Sequence, residues 1–481
     1  MLQMRPFRPS FARLGLVLMV ALMALYVFSG RQRSLYFSSE AGAAHIFRPN
    51  KCLLKYTNVP VYNTTVSSTP IYVSPMSSSM FPLVSRTKDL PPPPARLDNG
   101  IRIQKTVKSV ADDTEELTNE FAQMEKEQRL QIDKLTQVCS TNVLQNATYA
   151  GMGSYKYHRS RAYNVGYCKV PKCGSTFWIR LFTVLDNGIN VAKNILEKSR
   201  SSLHNMRHSF HSSLLSILQL KSPTILSARN PYSRLHSAYI DKLYLFLMWN
   251  YSLNILGIDK TNTTERICPQ AVSFEDFLQW ILRDASQGKT LNRHWAPIFS
   301  LCKPCDVVPI SIIRQETFAK DVKFILQYLK VDEDKYEFIM SALQGNRVKT
   351  ALPSIIATVF NRVKSLVRDN CLNWIYIARR TWSALQIQGF IANEVNFPFE
   401  QFKNLTDPSD VVKVSEFIIS EIYKHPLSKD ESHNQRKMAL QAAYSDVSEE
   451  TIVGIQQLYR EDFLLFGYSF VPPNKEDIYS E

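Results

Sequence analysis

The hydrophobic positions change spacing several times along the chain, and each change predicts a different element. Leu14 to Phe28 is an unbroken apolar run preceded by Arg5, Arg8 and Arg13, which predicts a membrane anchor whose basic end stays in the cytoplasm. The run is short and suits a thin bilayer of the early secretory pathway. A cleaved signal peptide is the rival reading, but the flank Tyr26-Val27-Phe28-Ser29-Gly30-Arg31 lacks a small-x-small cleavage site. From Ser38 to about Gly100, Ser, Thr and Pro displace the hydrophobics and end in Pro91-Pro92-Pro93-Pro94, the composition of an extended, O-glycosylatable stem. Between Asp112 and Cys139, the apolar residues Leu117, Phe121, Met124, Leu135 and Val138 take a 4-3 spacing whose central members, Gln128 and Gln131, are polar. That spacing predicts a helix, either a weak self-associating coil that would support a homodimer or an amphipathic helix docked on the domain that follows.

Beyond residue 150 the period alternates. Val165 to Val170 is short, β-rich and bounded by Gly and Pro, and from Thr176 onward Phe177, Leu181, Phe182 and Leu185 recur at helical spacing. Thr224 to Ala228 is a second strand, running through Arg229-Asn230-Pro231 into a helix. Helical spacing returns over Phe274 to Leu282, Thr317 to Leu329, Ile355 to Val367 and Val411 to Tyr423. Short strands alternating with helices predict an α/β domain, a P-loop-like parallel sheet flanked by helices, which binds its ligands at the carboxyl ends of the strands. The chain thus divides into a cytoplasmic tail over 1–13, an anchor over 14–30, a disordered stem over 31–111, a helix over 112–140 and a folded domain over 150–472.

Composition sharpens this picture in three places. At 481 residues and 45% hydrophobic content the chain supports one large core, and its net charge of +14 favours acidic partners. Nucleic acid, anionic lipid and polyanionic glycan all satisfy that charge, but none of the usual DNA- or RNA-binding motifs occurs. Five N-x-Ser/Thr triplets, at Asn63, Asn146, Asn250, Asn262 and Asn404, fit a luminal domain. Cys302-x-x-Cys305 has no second closely spaced Cys or His pair to complete a zinc site. In an oxidising lumen disulfides are the better reading, no metal is expected, and the pairing among eight cysteines stays open.

Two segments carry candidate chemistry. Pro171-Lys172-Cys173-Gly174 joins the first strand to the helix that opens at Ser175-Thr176. The Gly lets backbone approach a ligand, the Lys supplies a mobile cation, and the N–H groups of the helix start accept an anion. Lys172 precedes Gly174, whereas the ATP- and GTP-binding loop places its Lys directly after the second Gly. Arg229 closes the second strand, and Ser237 lies on the second turn of the following helix; together they suit a terminal phosphate.

These two segments resemble the 5′-phosphosulfate loop and the 3′-phosphate strand–helix of Golgi carbohydrate sulfotransferases, in the group acting on chondroitin, dermatan, terminal N-acetylgalactosamine and the HNK-1 glycan. Three further segments agree: Ser273-Phe274-Glu275-Asp276-Phe277; His294-Trp295-Ala296-Pro297 leading to Leu301-Cys302-Lys303-Pro304-Cys305; and Tyr459-Arg460-Glu461-Asp462-Phe463 with Phe466-Gly467-Tyr468. The resemblance covers roughly Tyr163 to Tyr468. Two departures stand out: Asn230 replaces the family's usual Asp, and the stretch from Leu352 to Val395 is longer than the family's.

The resemblance implies the sulfotransferase fold, a type II Golgi membrane protein with a luminal domain, and transfer of sulfuryl from 3′-phosphoadenosine 5′-phosphosulfate (PAPS) to a glycan hydroxyl, of the N-acetylgalactosamine 4-O type. Pro171, Lys172, Cys173, Gly174, Ser175 and Thr176 would hold the 5′ end, Arg229 and Ser237 the 3′-phosphate, and Lys172 would act in catalysis. Histidine suits the general base. His211, in the run His204-Asn205-Met206-Arg207-His208-Ser209-Phe210-His211, ranks first and His294 second. Arg180, Lys242, Arg266, Arg283, Arg293 and Lys303 are candidates for an acceptor groove or ordinary solvated charges. The alternatives are a glycan-binding protein or an inactive family member, without turnover, and a phosphotransferase built on the same strand–loop–helix.

Overall fold

The structure, a computed structural model, describes residues 99–141, 157–196, 203–204, 211–258, 267–344, 347–405 and 407–478. The predicted tail and anchor and residues 31–98 of the predicted stem lie outside these residues, as do Asn63, Asn146, Asn262 and Arg266; residues 99–111, expected as stem, are instead helical and continuous with the predicted helix over 112–140. Among the described residues no helix is long and apolar enough to cross a membrane.

Five strands form one sheet in the order β3-β1-β2-β4-β5, with β1 at Tyr157–Ser160, β2 at Val165–Cys168, β3 at His211–Ser212, β4 at Thr224–Ala228 and β5 at Ser311–Arg314. The three strands β2, β4 and β5 run parallel, as their buried, β-branched or aromatic sequences predict. The other two do not: β1 pairs antiparallel with β2, and β3 antiparallel with β1. The all-parallel expectation is corrected there, because Tyr157–Ser160 and Val165–Cys168 are joined by a four-residue turn, too short for a parallel crossover.

Helices cover both faces. The labels used below are α1 for Asn99–Ser140, α2 for Ser175–Leu196, α3 for Pro231–Tyr239, α4 for Phe274–Ser286, α5 for Ile298–Cys302, α6 for Phe318–Tyr328 and α7 for Trp374–Ile387. One core beneath α2 gathers Tyr167, Trp178, Phe182, Ile225, Ile313, Val322 and Ile325. The other is larger and joins Tyr232, Leu235, Phe277, Trp295, Trp382, Tyr444 and Phe463. The helical runs predicted from spacing are all present, and Val411–Lys424 packs along Arg347–Arg368.

Helix α1 lies against the sheet edge. Met124 and Leu135 are buried, and Phe121 stacks on Phe324 of α6. Gln128, a polar break in the coil pattern, is only 3% exposed. Its side chain pairs with the outer edge of β5 as a strand would: Oε1 accepts from Ile312 N at 3.0 Å, and Nε2 donates to Ile312 O at 3.3 Å. Oε1 also takes Ser311 Oγ at 2.8 Å, while Nε2 reaches Asp321 Oδ1 at 3.1 Å. The seam a homodimer would have used is therefore occupied within the chain, and the polar break is explained by the strand edge it satisfies.

Among the described residues three disulfides are formed, Cys139–Cys305, Cys168–Cys302 and Cys268–Cys371. The Cys302-x-x-Cys305 turn thus holds two distant pieces, the C-terminus of α1 and the end of β2. Closing loops of more than 100 residues stabilises the fold by roughly 4–5 kcal/mol each in the chain-entropy account.

Candidate active site

The first anion segment is built by backbone shape. After β2 the chain turns through Pro171 to Gly174, with Lys172 at φ 71° and Gly174 at φ 75°. At Gly174 a Cβ would stand 3.0 Å from the Phe318 ring in addition to the strained φ, so glycine is required there. Helix α2 begins at Ser175, and Trp178 N donates to Gly174 O at 3.2 Å. Ser175 and Thr176 occupy its first turn, where unpaired N–H groups face the loop.

The second segment is its neighbour across the sheet, since β2 and β4 pair directly. Arg229 follows β4, donating from Nε to Ser233 Oγ at 2.9 Å and from Nη1 to Lys172 O at 3.1 Å. The guanidinium of one segment is thus bonded to the backbone of the other. Ser237 sits one turn beyond Ser233 on α3 and is half-buried. Asn230 caps α3, its Oδ1 accepting from Tyr232 N at 2.9 Å, and its own N–H reaches Glu316 Oε1 at 3.2 Å. Capping needs only an oxygen acceptor, which Asn supplies as well as Asp. The departure from the family pattern leaves the helix start intact.

Arg234, on the next turn of α3, is 1% exposed and clamps the loop from below. It donates to Pro171 O at 3.2 Å, Ala296 O at 2.7 Å and Arg293 O at 3.1 Å. Its cation offsets Asp462, whose carboxylate caps α5 through Ile298 N and Phe299 N, both at 2.7 Å. Burial pushes that acid up to about 6 against the pull of Arg234 and the two amides. Arg234→Met should therefore strip three carbonyls of their donor and leave buried Asp462 without the cation that offsets it, at about 3–5 kcal/mol. We expect a melting temperature lower by at least about 5 °C, read by calorimetry; a value within 1 °C of the parent would show that the clamp carries no weight.

Lys172 does not point into open solvent. Its Nζ donates to Asp241 Oδ2 at 2.9 Å, and Lys242 Nζ lies 3.2 Å from the same oxygen. Asp241 and Lys242 belong to a π-helical segment, Ile240–Tyr244, that continues α3. The long insertion found in the sequence supports it: Arg380 of α7 stacks 3.9 Å over the Tyr244 ring and donates to Tyr244 O at 2.8 Å.

His294 completes the cluster. Its Nδ1 lies 2.7 Å from Asn292 Oδ1, an oxygen that also takes the His294 backbone N–H at 3.0 Å. Asn292 Nδ2 meanwhile donates to Tyr251 OH at 3.0 Å. With the amide oriented by those two bonds, Nδ1 must carry the proton and Nε2 keeps its lone pair. Burial pushes the imidazole down to about 2, with Lys242, Lys172 and Arg293 acting in the same direction and Asp241 opposing them. His294 is neutral, and its electrostatic neighbours are Lys172 of the anion loop, Asp241 and Lys242 of the π-helical segment, and Arg293.

The histidine run behaves differently. His211 is placed in β3, its backbone paired with His158 two strands away from β2. His204 is the one set beside the loop, with Nε2 3.1 Å from Thr176 Oγ1. Cys173 is buried, and burial pushes its thiol up to about 11, which removes it as a nucleophile. Of the basic residues considered for an acceptor groove, Lys242 and Arg293 reach the site. Arg283 is exposed on α4, Lys303 terminates α5 with φ 47°, and Arg180 is half-buried in α2. Asn250 and Asn404 are exposed.

Asp241 and Asn292 are the residues sequence reasoning missed. Asp241-Lys242 directly follows the second segment, and its charge pairing was the available signal. Asn292 stands two residues before His294, the spacing of an Asx turn.

A profile of the Sulfotransferase family matches residues 155–367, a span that contains both anion segments, Asp241 and His294. That span is similar to the sulfotransferase family. It is similar to carbohydrate sulfotransferase 11 of Mus musculus, 26% identical over 181 residues covering 34% of this chain and 49% of the relative. Carbohydrate sulfotransferase 12 of Xenopus laevis is 28% identical over 195 residues, covering 34% and 46%, and carbohydrate sulfotransferase 10 of Homo sapiens 24% over 220 residues, covering 42% and 61%. The chain spans about half the length of the curated relatives it matches. These are the group to which the five sequence segments pointed. No solved structure matches the chain significantly.

Proposed function

We propose that the chain is a PAPS-dependent carbohydrate sulfotransferase of the 2.8.2 class, acting on a glycan or glycosaminoglycan hydroxyl, with the N-acetylgalactosamine 4-O position the acceptor its resemblance implies. The observation that carries this is the Arg229 Nη1 to Lys172 O bond of 3.1 Å. It joins the two anion segments into one cradle, on adjacent parallel strands, able to grip both ends of a doubly phosphorylated nucleotide.

In this reading the loop backbone from Cys173 to Thr176 holds the 5′ end, and Arg229 with Ser237 holds the 3′-phosphate that distinguishes PAPS from ATP. Lys172 neutralises the leaving phosphate as its bridging bond to sulfur breaks, and His294 Nε2 receives the proton of the hydroxyl whose oxygen bonds to that sulfur. The cationic side chains supply the charge neutralisation that a metal gives many phosphoryl-transfer enzymes. The anchor over 14–30 and the five sequons support a luminal, Golgi-membrane placement of the type II kind.

Calorimetric titration with adenosine 3′,5′-bisphosphate tests the assignment. We expect saturable, tight binding, followed by transfer of label from radioactive PAPS to at least one of a panel of chondroitin, dermatan and N-acetylgalactosamine-terminated acceptors. A chain that binds sulfated glycans but not the bisphosphate would be a lectin-like protein instead, and weak bisphosphate binding alongside tight ATP binding would point to a phosphotransferase.

A further inference from the structure

The Lys172–Asp241 pair engages the loop's cation with a carboxylate at 2.9 Å. The two side chains are 9% and 10% exposed, and Asp241 Oδ2 is shared with Lys242, whose side chain is 15% exposed. A single carboxylate oxygen therefore holds two ammonium groups beside the anion loop. Its own position is fixed from outside, because the π-helical segment is pinned by Arg380 through Tyr244.

Resting on the donor assignment above, we infer that Asp241 is a positioning residue that stands in for the donor's anion: it retains Lys172 beside the loop until the 5′-phosphosulfate replaces it. Binding is then an exchange of one anion for another at Lys172 Nζ, not a simple addition. Lys242 remains with Asp241 after the exchange, so the carboxylate is not left bare. The product nucleotide meets the same competition, and Asp241 recapturing Lys172 favours its departure.

The exchange has a signature that a purely structural carboxylate lacks. Asp241→Asn keeps the shape and removes the competing charge, so the full chain should bind adenosine 3′,5′-bisphosphate about tenfold more tightly, the effect of lifting one partly buried charge pairing. Asp241→Glu restores the charge and should return affinity to within about twofold of the parent. In a Lys172→Met background the gain from Asp241→Asn should shrink to about threefold or less, since the competition acts through that amine. Binding no tighter in Asp241→Asn than in the parent, or a gain of equal size with and without Lys172, overturns the inference. Weaker binding together with a lowered melting temperature does so too, assigning Asp241 to folding alone. A parent chain that fails to bind the bisphosphate at all overturns the donor assignment itself, which separates the two failures.

Discussion

Lys172→Met is expected to lower kcat by about 10²-fold or more, the loss seen when one preorganised donor to developing charge is removed. The methionine stem fills the space of the lysine stem, and the backbone of the loop is held independently by Arg229 and Arg234. The bisphosphate should still bind, because Arg229 and the start of α2 remain. Initial rates with labelled PAPS, beside a bisphosphate titration of the same sample, check both halves. Undiminished turnover would remove Lys172 from the chemistry, and loss of binding with turnover in proportion would make it a binding residue only.

His294→Gln is expected to cost about 10²-fold or more in kcat, the usual range for a general base. Its pH dependence carries the sharper statement. In the protein without nucleotide the imidazole is pushed down to about 2 by burial and by Lys242, Lys172 and Arg293. An imidazole so weakly basic is a poor proton acceptor. Bound PAPS brings negative charge against those same lysines, which raises the imidazole back toward its ordinary value. The sign follows: kcat/KM for PAPS, which reports the free protein, should show no acidic limb from His294, while kcat, which reports the complex, should fall as pH drops through the raised value. The limb in kcat should vanish in His294→Gln. An unchanged kcat profile in that variant would return the base to another group, with His204 beside Thr176 the next to test.

The strand–loop–helix and its neighbour were legible because both are local: a β-rich run, a Gly or Pro break and a helical period each occupy fewer than ten residues. Thr224–Ala228 was bounded correctly, and β2 was found within two residues. What could not be read were partners far apart in sequence. Arg234 sits at a helical position with nothing local to mark it, yet its donors meet carbonyls some 60 residues away in either direction. Gln128 looked like a flaw in a coil because its partners, Ile312 and Asp321, lie more than 180 residues later. The preference for His211 over His294 had a different origin. Three histidines between two anion segments made that run conspicuous, whereas what orients His294 is a single Asn292 amide that fixes its tautomer.

The side-chain amide of Gln128 also acts as a shield. β5 is the last strand of the sheet, and an uncovered terminal strand offers its N–H and C=O groups to any other chain that can add a strand alongside. A shortened form beginning near residue 155, where the family profile starts, would lack this shield, along with Cys139 and the disulfide it forms with Cys305. Such a form is expected to assemble strand against strand, seen as a concentration-dependent rise in mass by light scattering that a form beginning upstream of Gln128 does not show.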